Sequence, residues 1–291
     1  MKLTSHTTPA AAGGPSALPL LFDSHCHLQD ETFQSKLAMG PDGARLIPSV
    51  SGMTLMSTSE EDWAATTEAS ALRRAAGLDC RLALGVHPWW ASAVVDGWEQ
   101  RLRERLLAAP GAIVGEVGLD GLPPREGRPF SPLAEQQPVF AAAMRVAAET
   151  RRPASLHCVK ATQPLLEALR ALPALPPALL LHAYGGSLET AAQLTRLASA
   201  AGTRVYFGFG ASCARSPKTL RVVAQLPEEA LLLESDQHAE AASAQDLLSA
   251  AAAVGGARGW SVADTARLTT RNAVAAMDPE RWGGGGVSGA G

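Results

Sequence analysis

Residues 112–158 contain a strand, a helix and a second strand in succession. The run Ala112-Ile-Val-Gly-Glu116 is apolar up to its last residue, and Ala154-Ser-Leu-His-Cys158 has the same character. Between these runs, apolar residues recur at the three-and-four spacing of an amphipathic helix: Phe140, Ala143, Met144 and Ala147. A strand followed by a covering helix and another strand is the repeating unit of a parallel sheet.

The same alternation extends over the rest of the chain. Eight short apolar runs are predicted strands: Leu20–Ser24, Met53–Ser57, Arg81–Val86, Ala112–Glu116, Ala154–Cys158, Leu179–His182, Arg204–Phe209 and Leu231–Ser235. A four-residue repeat predicts a further amphipathic helix: Val94, Trp98, Leu102 and Leu106. Eight strand-helix units fit the size and period of a (β/α)8 TIM barrel, which is the α/β fold that we predict. A doubly wound open sheet is the alternative.

The composition is that of a globular chain that does not hold nucleic acid through bulk charge. The chain has 291 residues, 46% of them hydrophobic, and 25 basic against 28 acidic side chains give a net charge of −3. Any phosphate must therefore be bound by local positive charge or by metal ions. We expect one barrel domain over residues 20–278, a disordered lead-in over 1–19 and a disordered Gly-rich tail over 279–291.

The apolar runs and the cysteines bear on where the protein resides. Every apolar run falls far short of the ~20 residues that cross a bilayer, so no transmembrane helix is expected. Residues 1–19 have neither the apolar core of a secretory signal nor the arginines of a transit peptide. The four cysteines are widely spaced, which predicts reduced thiols and an intracellular location, in the cytoplasm, the nucleus or both.

Six histidines and carboxylates stand at or just beyond the ends of predicted strands: His25, His27, Glu116, His157, His182 and Asp236. Any one of them alone is explained as an ordinary buried polar group. In a TIM barrel, however, the carboxyl ends of all strands meet at one face, so the six side chains converge. Imidazoles and carboxylates bind zinc, manganese or magnesium, and six ligands exceed the four of one tetrahedral zinc. The sequence therefore predicts two divalent ions with a carboxylate such as Glu116 between them.

Seven segments, taken in order, resemble the sequence blocks of the TatD family of metal-dependent hydrolases: Asp23-Ser-His-Cys-His-Leu28, Gly85-Val-His-Pro88, Gly115-Glu-Val-Gly-Leu-Asp120, Ser155-Leu-His-Cys158, Leu181-His182 before Gly186-Ser187, Leu233-Glu-Ser-Asp236 and Thr270-Arg-Asn-Ala273. The resemblance extends from Phe22 to Ala276. It implies a TIM barrel of the amidohydrolase type and hydrolysis of phosphodiester bonds in DNA, often with exonuclease character and with Mg²⁺, Mn²⁺ or Zn²⁺.

The resemblance also implies roles for individual residues. By position, the metal ligands would be His25, His27, Glu116 and Asp236 for the first ion, and Glu116, His157 and His182 for the second. Asp236 would in addition handle the proton of the attacking water, so Asp236 and Glu116 are the predicted catalytic residues. The predicted substrate contacts are His87, Lys160 and Ser187.

Three departures from the family pattern bear on the substrate. Val159-Lys160 follows the fifth-strand His-Cys where family members have Arg-Asp, and two interpretations of Lys160 are open: a phosphate contact or a solvated loop residue. The Gly186-Ser187 turn is kept, and its backbone amides could hold a phosphate. After Asp236, Gln237-His-Ala-Glu240 replaces a proline and a substrate-side loop, as in a divergent eukaryotic branch of the family. That change removes part of the expected substrate wall and leaves His238 without a predicted role.

Three functions remain open at this point. A deoxyribonuclease is favoured because the ligand set is complete. A hydrolase of another substrate would use the same metals, and an interaction protein would have kept the barrel and lost the wall. For a nuclease, the negative net charge favours single strands or ends over long duplex, with Trp89 and Trp90 either stacking on bases or packing against the barrel rim.

Overall fold

The computed structural model describes residues 20–30, 50–278 and 281–282. Within them, eight parallel strands form one sheet in the order of the sequence. The strands are β1 Leu21–Cys26, β2 Val50–Met56, β3 Asp79–Leu84, β4 Ile113–Asp120, β5 Ala154–Val159, β6 Ala178–Leu181, β7 Arg204–Phe209 and β8 Leu231–Leu233. Each of them overlaps its predicted run. The predicted lead-in over 1–19 lies outside the described residues, as does most of the predicted tail.

The first and last strands are joined by hydrogen bonds just beyond β8. The backbone N–H of Asp236 donates to the carbonyl oxygen of His25 over 2.9 Å, and that of His27 donates to Gln237 over 2.9 Å. The buried carboxylate of Asp23 accepts the backbone N–H of Ser235, again over 2.9 Å. The sheet therefore closes on itself, which confirms the TIM barrel and excludes the doubly wound open sheet.

Within the described residues, eight α-helices follow strands β2 to β8, the last two both after β8: α1 Trp63–Ala75, α2 Trp98–Ala108, α3 Leu133–Glu149, α4 Thr162–Ala171, α5 Leu188–Ala200, α6 Pro217–Gln225, α7 Glu240–Arg258 and α8 Val262–Ala276. Serine hydroxyls cap three of them by accepting a backbone N–H of the first turn, namely Ser187 for α5, Ser216 for α6 and Ser261 for α8. Both helices expected from their apolar spacing are present as α2 and α3. Val94 lies before the start of α2, in the preceding turn.

The apolar residues form two layers that leave only the upper barrel for polar groups. A large core lies between the sheet and the helices, and a smaller one fills the barrel interior. The interior core takes about one residue from each of several strands: Phe22, Met56, Ala83, Ile113, Leu180, Tyr206 and Leu232. Because it closes the amino-terminal half of the barrel, polar side chains that point inward must lie near the carboxyl ends of the strands.

All four cysteines are free thiols, in agreement with the spacing in the sequence. Three of them are buried, and Cys158 is half-buried. Across residues 50–278, no helix combines the length and the apolar character that a membrane crossing requires.

Gly118 marks the closest approach of two barrel strands. Its backbone has a φ of 154°, a conformation that favours glycine. A Cβ atom at this position would lie 2.0 Å from the carbonyl oxygen of His157 on the neighbouring strand. The absence of a side chain therefore lets β4 and β5 pair beside the polar cluster.

We expect Gly118→Ala to destabilise the fold by about 1–3 kcal/mol or more, because the new methyl group forces two backbones apart. Gly256→Ala is the matched control, since a Cβ at this helical position meets no atom within 4 Å. The control should be neutral or slightly stabilising because alanine favours helix. Urea unfolding of both variants measures the difference, and equal stabilities would contradict the close approach.

Candidate metal centre

A β-bulge in β1 turns His25 and His27 toward the inside of the barrel. Between Asp23 and Cys26, β1 advances three residues while β2 advances two. Phe22 belongs to the interior core, so strict alternation would also point Cys26 inward. The extra residue reverses the alternation: Cys26 packs in the outer core, and the two imidazoles face the interior.

A second β-bulge, in β4, turns the side chain of Glu116 toward the inside of the barrel. From Val114 to Val117, β4 advances three residues while β5 advances two. Ile113 belongs to the interior core, and the bulge lets Glu116 point inward three residues later. We expected Glu116 at the end of its strand. Instead, β4 continues to Asp120, because its pairing with β5 resumes after the bulge.

Four ligand atoms form a first cluster at the barrel mouth. The Nε2 atoms of His25 and His27 lie 3.3 Å apart, and each is 3.4 Å from Oε2 of Glu116. Oδ1 of Asp236 lies 3.7 Å from the Nε2 of His25 and 3.5 Å from that of His27. An ion with tetrahedral bonds of about 2.0–2.1 Å separates its ligands by about 3.4 Å. The two imidazole nitrogens are thus separated from each other and from the two carboxylate oxygens by distances close to those between ligands of one such ion.

The other carboxylate oxygen of Glu116 faces a second cluster. Its Oε1 lies 2.8 Å from Nδ1 of His157 and 2.7 Å from Nε2 of His182, and these two nitrogens are 3.1 Å apart. Nε2 of His87 lies 3.3 Å from Nδ1 of His157. Glu116 is 3% exposed, and each of its oxygens serves a different set of nitrogens. This arrangement suits a carboxylate that bridges two ions.

The rings of the first cluster are held by acceptors behind them. Nδ1 of His27 lies 3.0 Å from the carbonyl oxygen of Met56, and Nδ1 of His25 lies 3.3 Å from the hydroxyl oxygen of Ser155. An N–H at each Nδ1 leaves the lone pair on Nε2, the atom that faces the cluster. Both imidazoles therefore present an acceptor atom to a cation.

Two carboxylates stand behind the histidines of the second cluster. Nε2 of His157 lies 3.5 Å from Oδ2 of Asp120, and Nδ1 of His182 lies 3.9 Å from Oε1 of Glu234. Oδ2 of Asp120 also accepts the indole N–H of Trp89 over 2.7 Å. No role was predicted for Asp120 or Glu234 from the sequence. Both could have been recognised as neighbours of the site, because each lies in a segment that carries a predicted ligand.

His87 differs from the other four histidines in its hydrogen bonding. Its Nδ1 accepts the backbone N–H of Trp89 over 3.2 Å. Burial lowers the pKa of His87 to about 3, so the ring is neutral and its single N–H lies on Nε2. Nε2 of His87 therefore presents a donor beside Nδ1 of His157. A donor at this place suits an oxygen atom better than a cation.

Burial and mutual charge set the protonation of the ligand groups. Burial alone would raise the pKa of Glu116, but the neighbouring imidazoles hold it well below its usual range. Burial lowers the pKa of His25 to about 4. Burial also disfavours charge on His27, yet its hydrogen bonds to Asp236 and Glu116 raise its pKa to about 10. Without a cation the carboxylates thus retain a proton on His27, which a bound ion would displace.

The family model for TatD related DNase matches residues 22–278, nearly the whole described region. The chain belongs to the TatD family. This confirms the family that the seven sequence segments suggested.

Other TatD relatives are distant but consistent. Cut9-interacting protein scn1 of Schizosaccharomyces pombe is 28% identical over 217 residues, which are 60% of this chain and 64% of scn1. The 3'-5' ssDNA/RNA exonuclease TatD of Musicola paradisiaca is 28% identical over 218 residues, 74% of this chain and 77% of that protein. The crystal structure of YJJV, a TatD homolog from Escherichia coli, has a TM-score of 0.69 at 22% identity and covers 88% of this chain and 97% of that one. The last likeness bears on the fold alone.

The clusters lie at the base of a cavity of about 310 Å³, a size that holds a small ligand. Beyond the ligand groups, it is lined by Gln29, Thr58, Trp89, Trp90, Pro129 and His238. His238, for which we expected no role, stacks on the ring of His27 with a centroid distance of 5.1 Å. The segment in which this chain departs from the TatD pattern therefore contributes a wall of its own.

Of the two roles that the sequence left open for the tryptophans, packing at the barrel rim is seen in the structure, and stacking on bases stays a prediction. Trp90 is half-buried and packs against the core at the rim, as the packing interpretation required. Trp89 lies under Arg128, whose guanidinium carbon is 4.6 Å from the ring centroid. Both tryptophans also line the cavity.

Lys160 and Ser187, two predicted substrate contacts, do not enter this cavity. They line a neighbouring one, which shares His182 with the metal centre. Lys160 is exposed, and the Ser187 hydroxyl accepts the backbone N–H of Thr190 over 3.1 Å as the cap of α5. Among the predicted substrate contacts, only His87 faces the ligand clusters directly.

We expect Asp120→Asn to weaken the binding of one of two Zn²⁺ ions by about 10- to 100-fold, because an amide can donate to Nε2 of His157 and thereby favour the wrong tautomer. Asp96→Asn removes the same charge at an exposed position and is the control. Calorimetric titration of chelator-stripped protein with Zn²⁺ measures both affinities. If Asp120→Asn binds two Zn²⁺ ions with the affinities of the wild type, Asp120 does not support the metal centre.

Proposed function

We propose that this protein is a metal-dependent hydrolase that cleaves phosphodiester bonds, with deoxyribonuclease activity on strand ends. The observation that carries the proposal is Glu116, whose two oxygens face two separate sets of imidazole nitrogens. Membership of the TatD family and the printed activity of the Musicola relative, a ssDNA/RNA exonuclease, support the same reaction.

The six predicted ligands are assigned to two ions. The first set is His25, His27, Glu116 and Asp236, and the second is Glu116, His157 and His182. Four of these six side chains donate through nitrogen, a composition that favours Zn²⁺ or Mn²⁺ over Mg²⁺. When bound, two such ions would supply Lewis-acid charge to a phosphoryl oxygen and would lower the pKa of a bound water to about 7.

The protein's own groups divide the remaining work. The carboxylate of Asp236 is 48% exposed at the mouth, where it can accept the proton of the attacking water. Although burial acts against ionisation, the hydrogen bond with His27 lowers the pKa of Asp236 to about 2, so the base is ionised at neutral pH. The Nε2 proton of His87 is available to a phosphoryl oxygen, in keeping with its assignment as a substrate contact.

The location proposed for this activity is inside the cell, in the cytoplasm or the nucleus. All four cysteines are free thiols. A reducing compartment keeps thiols in that state.

A protein-interaction role is the second candidate, because one relative carries the printed name Cut9-interacting protein scn1. The altered segment after Asp236 is the place where such a change of role would act. Against it, an interaction surface has no need of a buried carboxylate surrounded by imidazoles. Metal content separates the two, since a scaffold need not bind two ions.

We expect metal-stripped protein to cleave labelled DNA only after Mn²⁺, Zn²⁺ or Mg²⁺ is restored, and Asp236→Asn to lose at least about 100-fold in kcat. Asp96→Asn, far from the ligand set in sequence and exposed, serves as the carboxylate control. Gel analysis of the products measures both rates. Binding of two ions without cleavage of DNA would point to another hydrolase substrate, and no metal binding would favour the interaction protein.

Single strands should be cleaved faster than duplex of the same sequence, by about tenfold or more. A cavity of about 310 Å³ admits one nucleotide end, and the net charge of −3 provides no broad attraction for a double helix. The comparison uses end-labelled strands and their duplexes at one ionic strength. Internal cleavage of closed circular duplex at the same rate would contradict the preference for ends.

A further inference from the structure

A second cavity, here called the lysine cavity, lies beside the metal centre. Its volume is about 460 Å³, and His182 lines both cavities. One wall is the segment that follows β5, and the facing wall is the turn between β6 and α5; Lys218 of α6 completes the rim. The two cavities therefore lie side by side at the barrel mouth, with His182 between them.

The lysine content of the chain singles this cavity out. The sequence has four lysines, at positions 2, 36, 160 and 218. Only Lys160 and Lys218 fall within the described residues, and both line the lysine cavity. Elsewhere on the described surface, arginines supply the basic charge, and several of them are paired with acids, as Arg81 is with Asp79.

Among the described residues, the charged side chains that line the lysine cavity are all basic. The metal cavity contains the carboxylates of Glu116 and Asp236, whereas none of the described residues that line the lysine cavity is acidic. Glu189, at the start of α5, is exposed and outside the lining, but it hydrogen-bonds the Ser187 side chain and interacts electrostatically with Lys218. Lys160 therefore carries the positive charge for which the structure records no offsetting acid among the described residues. Two ammonium groups without a lining carboxylate attract an anion in an otherwise acidic protein.

The walls of the lysine cavity are held in place from several sides. Nζ of Lys218 donates to the carbonyl oxygen of Gly185 over 3.3 Å. The hydroxyl of Tyr184 donates to the backbone carbonyl oxygen of Ser187 over 2.7 Å. Lys160 has a φ of 51°, so its backbone leaves the line of β5 at the cavity edge. The floor is apolar, formed by Leu165, Leu181 and Leu194.

We propose that the lysine cavity binds the backbone phosphate next to the one that is cleaved. Lys160 and Lys218 contact this phosphate, and the apolar floor contacts the attached nucleoside. The assignment deepens the proposed nuclease function and rests on it. It requires two consecutive phosphates on one strand, which gives the protein a way to select single-stranded polynucleotides over dinucleotides and small phosphate esters.

The test compares Lys160→Gln, Lys218→Gln and the double variant with Arg221→Gln, a control that removes an exposed positive charge from α6 outside the cavity. Metal-loaded proteins cleave a thymidine dinucleotide, which has one linkage, and a trinucleotide, which has two. In further trinucleotides, a neutral methylphosphonate replaces one linkage or the other. Fluorescence anisotropy with the same labelled strands measures binding without reference to cleavage.

The double variant should raise KM for the trinucleotide by about tenfold or more at 0.1 M salt, with little change in kcat and little effect on the dinucleotide. The slope of log affinity against log salt should fall by about 0.7, since the contact with one phosphate of a single strand is lost. Replacing the uncleaved linkage by methylphosphonate should abolish the difference between the double variant and the wild type.

Two outcomes would overturn the assignment. In one, the double variant binds and cleaves the trinucleotide as Arg221→Gln does. In the other, the dinucleotide is affected as strongly as the trinucleotide, which places the lysines on the cleaved phosphate. If the wild type cleaves neither strand but binds the trinucleotide in a lysine-dependent way, the nuclease proposal fails and the phosphate subsite stands.

Discussion

A carboxylate buried among imidazoles is the constraint on which the upper half of the barrel depends. Glu116 is 3% exposed and lies within 3.5 Å of five histidine nitrogens. Burying an ionised carboxylate is costly unless a cation or donors surround it. The surrounding groups therefore cannot be chosen independently: each ring must present the correct nitrogen, which requires an acceptor behind it and a strand register that aims it inward.

Strand register explains why the predicted side chains converge although their strands end at other residues than expected. The topology of a parallel barrel brings strand ends together, so convergence of the six ligands followed from their order alone. The direction of the Glu116 side chain could not be predicted in the same way, because strict alternation places Ile113 and Glu116 on opposite faces of the strand. Only a bulge allows both to point inward, and one inserted residue leaves no clear mark in the apolar pattern.

The residues that the sequence did not assign are those whose role depends on which nitrogen of a ring is protonated. Asp120 and Glu234 lie behind His157 and His182, each with an oxygen 3.5 or 3.9 Å from a ring nitrogen that has no hydrogen-bond partner among the described residues. His87 looks like a ligand by distance, and its bond from the Trp89 backbone identifies it as a donor. Spacing along the chain places Asp120 and Glu234 near predicted ligands, but it reports neither which ring nitrogen each faces nor the bond from Trp89 to His87.

Two departures from the TatD pattern lie on opposite sides of the candidate metal centre. The segment after Asp236 places the ring of His238 against His27 and so narrows the mouth on the side of β1 and β8. On the side of β5 and β6, Lys160 stands at the edge of a cavity of about 460 Å³ that joins the metal centre at His182. Under the proposed function, a strand at the metal centre would meet His238 on one side and positive charge on the other. Because the net charge of the chain is −3, the orientation of a polyanion there would depend on this local asymmetry.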